Sequence, residues 1–472
     1  MTKFKQHVLK YRDENFNPEL IIKNAKKSQN DVYLLEIKNK NLIEKTNLIY
    51  LGISPKLKIT YKDGFITINN HNQKNITVKG DLQNYLEKTL NSYDFEKYPH
   101  PLPFSGGLVG YFSYDYVKYQ IPEYNHIKNP FNLDDAGFML FTEVIAFNPA
   151  NSEVTLIQNL PQTEDSTILK LKSKLQRLQQ QNYKLSPLQI TEPLIPKYNQ
   201  TEYQKLIKKV IKNIYKGNIF QMILSNPLQG QAKGDLFSLY NHVSGNYHSY
   251  FSLDDFQFVT ASPETLLKKI NNHLATFPLA GTRRRGKDKH EDQKFANELL
   301  NNQKEIAEHN MLVDLGRNDL GAVSKFNTVQ VTEHMKLKKY QQVMHLASTV
   351  ESTITDNKTT IDAIKAVFPA GTLSGAPKNS AINIINKLEQ QHRGIYGGTF
   401  GYLDFNGDCD FAIGIRLAHK KADHLTVHSG AGIVADSISK NEYQECFNKS
   451  RVIIKALNET TKMEVLNNDS FN

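Results

Sequence analysis

Two Glu-x-x-Glu segments, at residues 305–308 and 442–445, constrain the fold of this chain more than any other feature of its sequence. On a helix, residues three apart lie on the same face, so each segment would bring two like charges together one turn apart. Such pairs destabilise a solvated helix, but a divalent cation between the two helices would turn their repulsion into attraction. A single segment of this kind is more often plain surface charge, so the cation-site interpretation depends on the surrounding residues.

Composition excludes several classes of protein. With 472 residues, 39% of them hydrophobic and 22% charged, the chain is expected to be globular and larger than one simple domain. It contains no apolar run long enough to span a membrane and no secretory signal at its start, so we expect a cytoplasmic location without membrane binding. The two cysteines, Cys409 and Cys446, allow neither a disulfide framework nor a Cys-x-x-Cys zinc site, and neither lies in a Gly-x-Cys-x-Gly turn.

The net charge of +10 raises the alternative of a basic nucleic-acid-binding protein. The lysines are scattered along the chain, however, and the one tight basic cluster in the sequence is Arg283–Arg285. A generally basic surface that attracts an anionic substrate explains this distribution better. We therefore expect no nucleic-acid partner.

The hydrophobic pattern predicts an α/β protein of the α+β type with four successive regions. Residues 1–160 are expected to form a strand-rich subdomain, residues 161–198 a helix and a linker, residues 199–458 the main domain, and residues 459–472 a frayed tail. The linker is placed at 186–198 because three prolines occur there. In the subdomain, predicted strands lie at 32–37, 57–61, 104–112 and 143–147.

Local signals predict the remaining elements. A helix over 165–185 would be capped by Asp165 or Ser166, and the next helix would begin near Thr201 with a capping box. Further helices are predicted at 294–313, 360–367, 377–388 and 442–457. Further strands are predicted at 219–225, 256–260, 397–403, 410–418 and 425–427.

Four features have both a functional and a structural interpretation. The string Pro369–Lys378 leads into a helix through Pro377, where free amides could hold an anion, although Gly and Pro also suit a plain helix start. The small residues of Ser429–Ile433 would let backbone amides approach a ligand, yet such turns are common. Arg416, in an apolar strand, suits either a carboxylate ligand or an internal salt bridge. His345, among apolar residues, is either a packed core residue or a proton carrier.

Together these residues predict a site that binds Mg²⁺ and a small carboxylate-bearing molecule and that transfers protons. From about Asn218 to Lys449 the sequence strongly resembles the chorismate-utilising enzymes, and a weaker resemblance covers residues 31–37 and 101–115. The matching strings, in chain order, are Asn218–Gln221, Pro278–Arg283, Lys304–His309, Leu312–Asp319, Pro369–Lys378, Gly394–Gly398 and Glu442–Glu445. The resemblance implies large antiparallel sheets in a sandwich flanked by helices, with the chorismate-binding catalytic domain at 199–458.

Three reactions share the site of these enzymes: amination at ring position 2, amination at position 4, and hydroxylation at position 2. The water-using relatives carry a lysine where this chain has Gln221, whose amide cannot take up a proton. The 4-aminating aminodeoxychorismate synthases carry a lysine nucleophile where this chain has Ala280. The chain therefore resembles the first component of the anthranilate synthases, lyases of tryptophan biosynthesis that convert chorismate and ammonia to anthranilate and pyruvate. Amination at position 4 stays the alternative.

The resemblance also implies roles for individual residues. Mg²⁺ is expected at four glutamates, with Glu308 and Glu445 as ligands and Glu305 and Glu442 nearby. The residues expected to bind the substrate are Gly281, Thr282, Tyr396, Arg416, Gly430, Ala431, Gly432 and Lys449. The residues expected to take part in catalysis are Gln221, Glu305, His345 and Thr372, with Glu305 as the acid for the leaving hydroxyl.

The implied partner is a glutamine amidotransferase subunit that supplies ammonia, because the chain has no glutaminase turn of its own. A hetero-oligomer is expected for the same reason. Relatives bind L-tryptophan as an inhibitor at two segments that correspond here to residues 34–37 and 246–251, and both segments depart from the usual pattern. The candidate inhibitor contacts are Glu36, Ile37, His248, Ser249 and Tyr250.

Overall fold

The computed structural model describes residues 2–38, 47–70, 75–95, 100–121, 123–124, 127–339 and 343–462. Its α-helices are α1 (Pro18–Ala25), α2 (Leu82–Asn91), α3 (Ile168–Gln180), α4 (Gln200–Tyr215), α5 (Lys289–Asn301), α6 (Gln303–Gly321), α7 (Thr360–Val367), α8 (Lys378–Glu389) and α9 (Ser439–Thr461). Short 3₁₀ helices lie at Tyr114–Tyr119, Leu236–His242 and Gly371–Leu373. None of these described helices combines the length and the apolar character needed to cross a bilayer.

The strands make up most of the framework. They are β1 (Lys3–Arg12), β2 (Val32–Lys38), β3 (Asn47–Ile53), β4 (Leu57–Lys62), β5 (Phe65–Asn69), β6 (Ile76–Lys79), β7 (Asp94–Phe95), β8 (Gly107–Phe112), β9 (Ala136–Phe141), β10 (Glu143–Asn148), β11 (Glu153–Pro161), β12 (Gln189–Pro196), β13 (Gln221–Ser225), β14 (Leu228–Lys233), β15 (Tyr247–Leu253), β16 (Phe256–Ser262), β17 (Thr265–Ile270), β18 (His273–Thr276), β19 (Leu279–Arg284), β20 (Gln330–Lys339), β21 (Val343–Thr353), β22 (Gly375–Ala376), β23 (Thr399–Asp404), β24 (Cys409–Ile413), β25 (Leu417–Lys421), β26 (His424–His428) and β27 (Gly430–Ile433).

Two large, mostly antiparallel sheets and one small sheet are built from these strands. The first large sheet has the order β12-β14-β26-β25-β16-β15-β2-β3-β10-β11-β1-β7. The second has the order β19-β21-β18-β17-β24-β23-β8-β9-β4-β5-β6, and β20 also pairs with β21. The small sheet has the order β22-β13-β27. The α+β fold with large antiparallel sheets is confirmed.

The two large sheets pack face to face over a core of aromatic side chains. Phe251 and Phe258 of the first sheet lie against Tyr111 and Phe400 of the second in one buried cluster. The ring centroids of Tyr111 and Phe251 are 5.7 Å apart, and those of Phe258 and Phe400 are 5.6 Å apart. Alternating side chains of each strand point into this layer, which is the arrangement of a sandwich.

Both large sheets mix strands from the two ends of the chain. In the first sheet, β2 and β3 lie between β15 and β10, and in the second sheet β8 lies between β23 and β9. The register pairs Tyr33 with Phe251 and Gly110 with Gly401. The boundary predicted near residue 160 therefore does not separate two independent sheets.

The predicted linker at 186–198 is wrong for most of its length, because β12 pairs with β14 there. Pro193 and Pro196 are tolerated since β12 is the edge strand of its sheet, where a missing N–H breaks no ladder. The pairing contains register shifts on both sides of Glu192. Prolines, in this case, mark an edge strand and not an unstructured connection.

Four other local predictions are corrected. The helix predicted at 294–313 is two helices, because Asn302 is extended and its side chain caps Glu305 N at 3.1 Å. The strand predicted at 410–418 is β24 and β25, interrupted at 414–416. Thr167 is the N-cap residue of α3, without a side-chain cap bond. The capping box of α4 uses Asn199 with Glu202, two residues earlier than predicted.

Candidate active site

A cavity of about 480 Å³ lies where the small sheet, helices α6 and α9 and the end of the second large sheet meet. Most of the residues predicted to act on the substrate line this main cavity. They are Gln221, Gly281, Glu305, Glu308, His345, Thr372, Tyr396, Arg416, Gly430, Gly432, Glu442, Glu445 and Lys449. The fold thus brings residues that are spread between positions 221 and 449 to one site.

Two predicted substrate residues are placed differently. Ala431 is fully buried on β27 between Gly430 and Gly432, which line the main cavity. Because side chains alternate along a strand, its methyl group points away, and only its backbone could contact a ligand. Thr282 lies on β19 opposite His345, but its side chain lies outside the described residues.

Two glycines keep space open at the cavity wall. A Cβ atom on Gly430 would lie 2.8 Å from the hydroxyl oxygen of Tyr396. Gly281 has φ +65°, which disfavours other residues, and its Cβ would lie 3.1 Å from a carboxylate oxygen of Glu305. A side chain at either position would displace a group that the cavity presents.

The four predicted glutamates face the main cavity from two helices, and each is bonded to a neighbour. Glu305 pairs with Arg283 at 3.0 Å, Glu308 accepts from Gln221 at 3.2 Å, Glu442 accepts from Ser437 at 2.8 Å, and Glu445 lies 3.8 Å from Lys449. Within the described ranges, no three His, Cys, Asp or Glu side chains are grouped closely enough to hold a metal ion.

Burial makes two of these carboxylates harder to ionise. It raises the pKa of Glu308, and the neighbouring charge of Glu305 adds to the shift. It likewise raises the pKa of Glu442, where Glu445 is the like-charged neighbour. Clustered carboxylates of this kind are the oxygen donors that Mg²⁺ prefers, so the donor set fits that ion once the present bonds rearrange.

Arg416 is held in an unusual backbone conformation at the cavity wall. It has φ +51° and lies between β24 and β25, not within a strand as predicted. Its guanidinium donates to the backbone oxygen of Lys449, and burial lowers its pKa. In the part of the chain that the structure describes, it forms no ion pair with a carboxylate, so the internal salt bridge does not explain it. Its charge is placed to meet an anionic ligand.

His345 is oriented by the backbone of β19. Its Nδ1 lies 3.1 Å from the carbonyl oxygen of Gly281, and since a carbonyl can only accept, Nδ1 must carry the hydrogen. Nε2 then carries the lone pair. Burial lowers the pKa of His345, and the positive charge of Arg416 lowers it further, so the ring is neutral and suited to accept a proton.

Glu264 is a cavity residue that the sequence interpretation missed. It lies between β16 and β17, lines the main cavity and accepts a hydrogen bond from Thr372 at 2.9 Å. Burial raises its pKa to about 7. A single carboxylate after a strand has no spacing signal that would distinguish it from surface charge, so nothing in the sequence pattern selects it.

A buried polar cluster that reaches the wall of the main cavity through His428 was also missed. His428 stacks on Tyr396 with ring centroids 4.2 Å apart and bonds to Ser225 at 3.0 Å. Arg393, fully buried, donates to Glu389 at 2.8 and 2.6 Å and to two backbone carbonyls. These contacts fix the ring of Tyr396, which the sequence did predict.

A family model described as chorismate binding enzyme matches residues 31–455. The chain belongs to this family. The resemblance inferred from the ordered strings is thereby confirmed, and the match extends through the N-terminal strands as well as the region from Asn218 onward.

Relatives and solved structures agree with the family assignment. Anthranilate synthase component 1 of Acetivibrio thermocellus is 35% identical over 432 residues, which are 87% of this chain and 86% of that protein. Aminodeoxychorismate synthase component 1 of Bacillus subtilis (strain 168) is 34% identical over 422 residues, 86% of this chain and 88% of that protein. The crystal structure of anthranilate synthase component I from Streptococcus pneumoniae TIGR4 superposes with a TM-score of 0.76 at 31% identity, covering 88% of this chain and 94% of that chain.

The side chains of the residues predicted to contact an inhibitor lie on both faces of the first large sheet. They lie on β2 and β15, which pair so that Glu36 is opposite His248. Ile37 belongs to the core between the sheets, whereas Tyr250 packs in the core on the outer face. Since side chains alternate along each strand, Glu36, His248 and Tyr250 share one face, and Ile37 and Ser249 share the other. The five side chains therefore do not all face the same space.

The outer face near Glu36 is filled by the protein's own side chains. His248 lies 3.3 Å from Glu36, and its other ring nitrogen lies 3.0 Å from the backbone oxygen of Tyr240. The rings of Tyr240 and His248 stack with centroids 3.7 Å apart. Tyr250 donates to Asp235 at 3.0 Å. These contacts leave the predicted inhibitor residues satisfied within the protein.

Proposed function

We propose that this chain is the first component of an anthranilate synthase, a Mg²⁺-dependent lyase that converts chorismate and ammonia to anthranilate and pyruvate. One observation carries the choice of reaction. The main cavity presents the neutral amide of Gln221, where an enzyme that activates water would need a base. Its amide nitrogen donates to Glu308, and its buried oxygen has no hydrogen-bond partner among the described residues. That oxygen can accept a hydrogen bond from ammonia, which is already a nucleophile.

The main cavity suits a dianionic substrate. Arg416 and Tyr396 are assigned to the enolpyruvyl carboxylate, because Arg416 has no carboxylate partner in the described part of the protein. The backbone of Gly281 and of Gly430–Gly432 is assigned to the ring carboxylate. Lys449, whose ammonium group lies 3.1 Å from the carbonyl oxygen of Gly430, adds positive charge on that side.

Glu308 and Glu445 would hold Mg²⁺, with Glu305 and Glu442 next to them. When bound, the ion would neutralise the ring carboxylate and so lower the charge repulsion inside the cavity. The fit rests on the donor chemistry of the four carboxylates, which line the same cavity from two helices.

The reaction needs two proton transfers that the chain's own residues can provide. As ammonia attacks ring position 2, the hydroxyl at position 4 leaves and must be protonated to form water. Glu264 is a better acid for this step than Glu305, because its pKa, raised to about 7, leaves a large part of it protonated at neutral pH, whereas Glu305 is paired with Arg283. The added nitrogen loses one proton to become an amino group. Nε2 of His345 then removes the proton at position 2 while the enolpyruvyl group leaves and the ring becomes aromatic, and the leaving group takes up a proton at its methylene carbon to become pyruvate. One chorismate and one ammonia give anthranilate, pyruvate and water.

Amination at ring position 4 is the second candidate, since one close relative is named aminodeoxychorismate synthase component 1. Against it, Ala280 lines the main cavity and offers no nucleophile for a covalent intermediate. Incubation with chorismate, Mg²⁺ and an ammonium salt decides between them. Anthranilate, identified by its fluorescence and mass, supports the proposal, and an aminodeoxychorismate product overturns it. Salt-sensitive nucleic-acid binding without chorismate turnover would overturn both.

Ammonia is proposed to come from a glutamine amidotransferase subunit in a hetero-oligomer. The relatives are named as component 1 of their enzymes, and both cysteines of this chain are fully buried, which does not suit a glutaminase nucleophile. Purified alone, the chain should use ammonium salts and not glutamine. Efficient use of glutamine by the chain alone would contradict this part of the proposal.

We further propose that L-tryptophan does not bind between β2 and β15 of this chain. The proposal is supported by the division of the five predicted contacts between two faces and by the ion pair of Glu36 with His248. An inhibitor there would first have to break internal contacts of the protein.

A further inference from the structure

A second, narrower cavity of about 40 Å³ lies directly behind the wall of the main cavity. The two spaces share Glu264, Leu312 and Thr372 as lining residues. The hydrogen-bonded pair of Glu264 and Thr372 therefore stands between them. A cavity needs only about 10–15 Å³ of this kind of space to hold one water molecule, so the second cavity has room for a small molecule of that size.

The lining of the second cavity is mostly apolar, with Leu266, Leu315 and Ile413 among its members. Its polar side chains are already bonded within the protein. Thr276 donates to the carbonyl oxygen of Leu266 at 3.1 Å, Thr265 bonds to Tyr247 at 2.8 Å, and Asp319 accepts from Lys378 at 2.7 Å. A charged ion would lose its hydration there without replacement, whereas a small neutral molecule would not.

Gly316 is an unexpected residue at this position. It lies inside helix α6, where glycine is less favourable than alanine, and it lines the second cavity. A Cβ atom on Gly316 would lie 3.2 Å from Thr276 Cγ2 and 3.6 Å from Pro278 Cγ, two other lining residues. The missing side chain keeps this space open.

We propose that ammonia reaches the reacting carbon through the second cavity, past the pair of Glu264 and Thr372, while chorismate occupies the main cavity. This inference rests on the proposed function, because it assumes that ammonia is the nucleophile. The apolar lining admits ammonia and rejects ammonium, and Glu264 lies where the route enters the main cavity. Nucleophile and substrate thus approach from opposite sides of one wall.

The test is to fill the second cavity with a side chain at position 316. Gly316→Val, and Gly316→Ala as a milder change, should raise KM for ammonia several-fold in the order of side-chain size, with KM for chorismate unchanged. Gly321→Val is the matched control, since it lies on the same helix and a Cβ there would meet nothing within 4 Å. Thermal melting of all three variants shows whether they fold. If Gly316→Val does not fold, the kinetics of Gly316→Ala decide the test.

The outcomes separate the two proposals. If Gly316→Ala and Gly316→Val leave KM for ammonia unchanged, or raise KM for chorismate equally, the route is wrong while the function stands. If Gly321→Val raises KM for ammonia as much as Gly316→Val does, the effect belongs to the helix and the route is again wrong. If the unchanged protein makes no anthranilate from chorismate and ammonium, the proposed function is wrong, and the proposed ammonia route is wrong as well.

Discussion

Thr372 donates a 2.9 Å hydrogen bond to Glu264, a residue 108 positions earlier in the sequence, and the pair forms the wall between two cavities. The bond holds one oxygen of the carboxyl group in place. Its acidity is set by burial and not by a charged partner, because burial is the main cause of the raised pKa. A carboxyl group so placed is suited to donate a proton at neutral pH.

Replacing this acid should slow the chemical step. We expect Glu264→Gln to lower kcat by about 10²- to 10⁴-fold, the usual contribution of a general acid, with little change in KM for chorismate. Steady-state kinetics with ammonium as the nucleophile measures both constants. Glu298→Gln, an exposed change on α5, is the matched control. A loss of binding with unchanged kcat would show that Glu264 holds the substrate and is not the acid.

The same carboxyl group predicts the pH dependence of the reaction. The pKa of Glu264 is raised to about 7, so its acid form is lost as the pH rises through that value. At a fixed concentration of free ammonia, kcat should therefore fall as the pH rises through about 7. Measuring kcat across this range, with total ammonium adjusted at each pH, tests the direction. A rate that rises instead would require Glu264 to act as a base.

Removing one carboxylate from the glutamate pairs should abolish cation-dependent turnover. Glu308→Gln or Glu445→Gln takes away one proposed oxygen ligand, and both side chains line the main cavity. Binding of Mn²⁺, followed by electron paramagnetic resonance, should weaken in both variants while the melting temperature stays near that of the unchanged protein. Glu192→Gln, on the exposed edge strand β12, should change neither quantity. Unchanged Mn²⁺ binding in the two cavity variants would overturn the ligand assignment.

The buried pair of Arg393 and Glu389 should matter for stability. Arg393 is 1% exposed and Glu389 is 4% exposed, so Arg393→Met would leave a buried carboxylate without its partner. The free energy of unfolding should fall by about 3–5 kcal/mol, measured by chemical denaturation. Arg317→Met breaks the exposed pair with Asp314 and should cost no more than about 1 kcal/mol. Equal losses of unfolding free energy in the two variants would mean that the buried pair contributes no more to stability than the exposed pair.

Titration with L-tryptophan should give no binding heat. His248 and Glu36 are paired at 3.3 Å and covered by Tyr240, so no ligand can reach them without breaking those contacts. Isothermal titration calorimetry measures binding directly, and anthranilate formation in the presence of tryptophan gives a second readout. A clear heat signal that disappears in His248→Ala would show that this face does open to a ligand.

Much of the site could be predicted because its residues lie in ordered strings with helical or strand spacing. The helix that carries Glu442 and Glu445 was predicted within three residues of its start, since its apolar face is continuous. Gln221 was predicted on a strand that the structure contains, whereas no strand was predicted around His345, which lies on β21. Their meeting in one cavity followed from the family resemblance and not from spacing.

What could not be predicted depends on contacts between distant segments. Asn302 ends one helix because its side chain caps the start of the next. The hydrophobic pattern alone does not show whether the helix continues or ends at this residue. Glu264 becomes an acid through burial, a property of the fold and not of its neighbours in sequence. The order of strands in the two sheets depends on pairings such as β2 with β15, which no local signal specifies.

The pairing of early with late strands imposes an order on synthesis. When β2 leaves the ribosome, its partner β15 at Tyr247–Leu253 has not been made. The number of residues that must be translated between β8 and its partner β23 is larger still. The N-terminal strands must therefore remain unpaired on one edge while most of the chain is translated, a state open to aggregation. A gene fragment ending near residue 160 should not yield a stable protein, whereas two fragments produced together could complete each other's sheets.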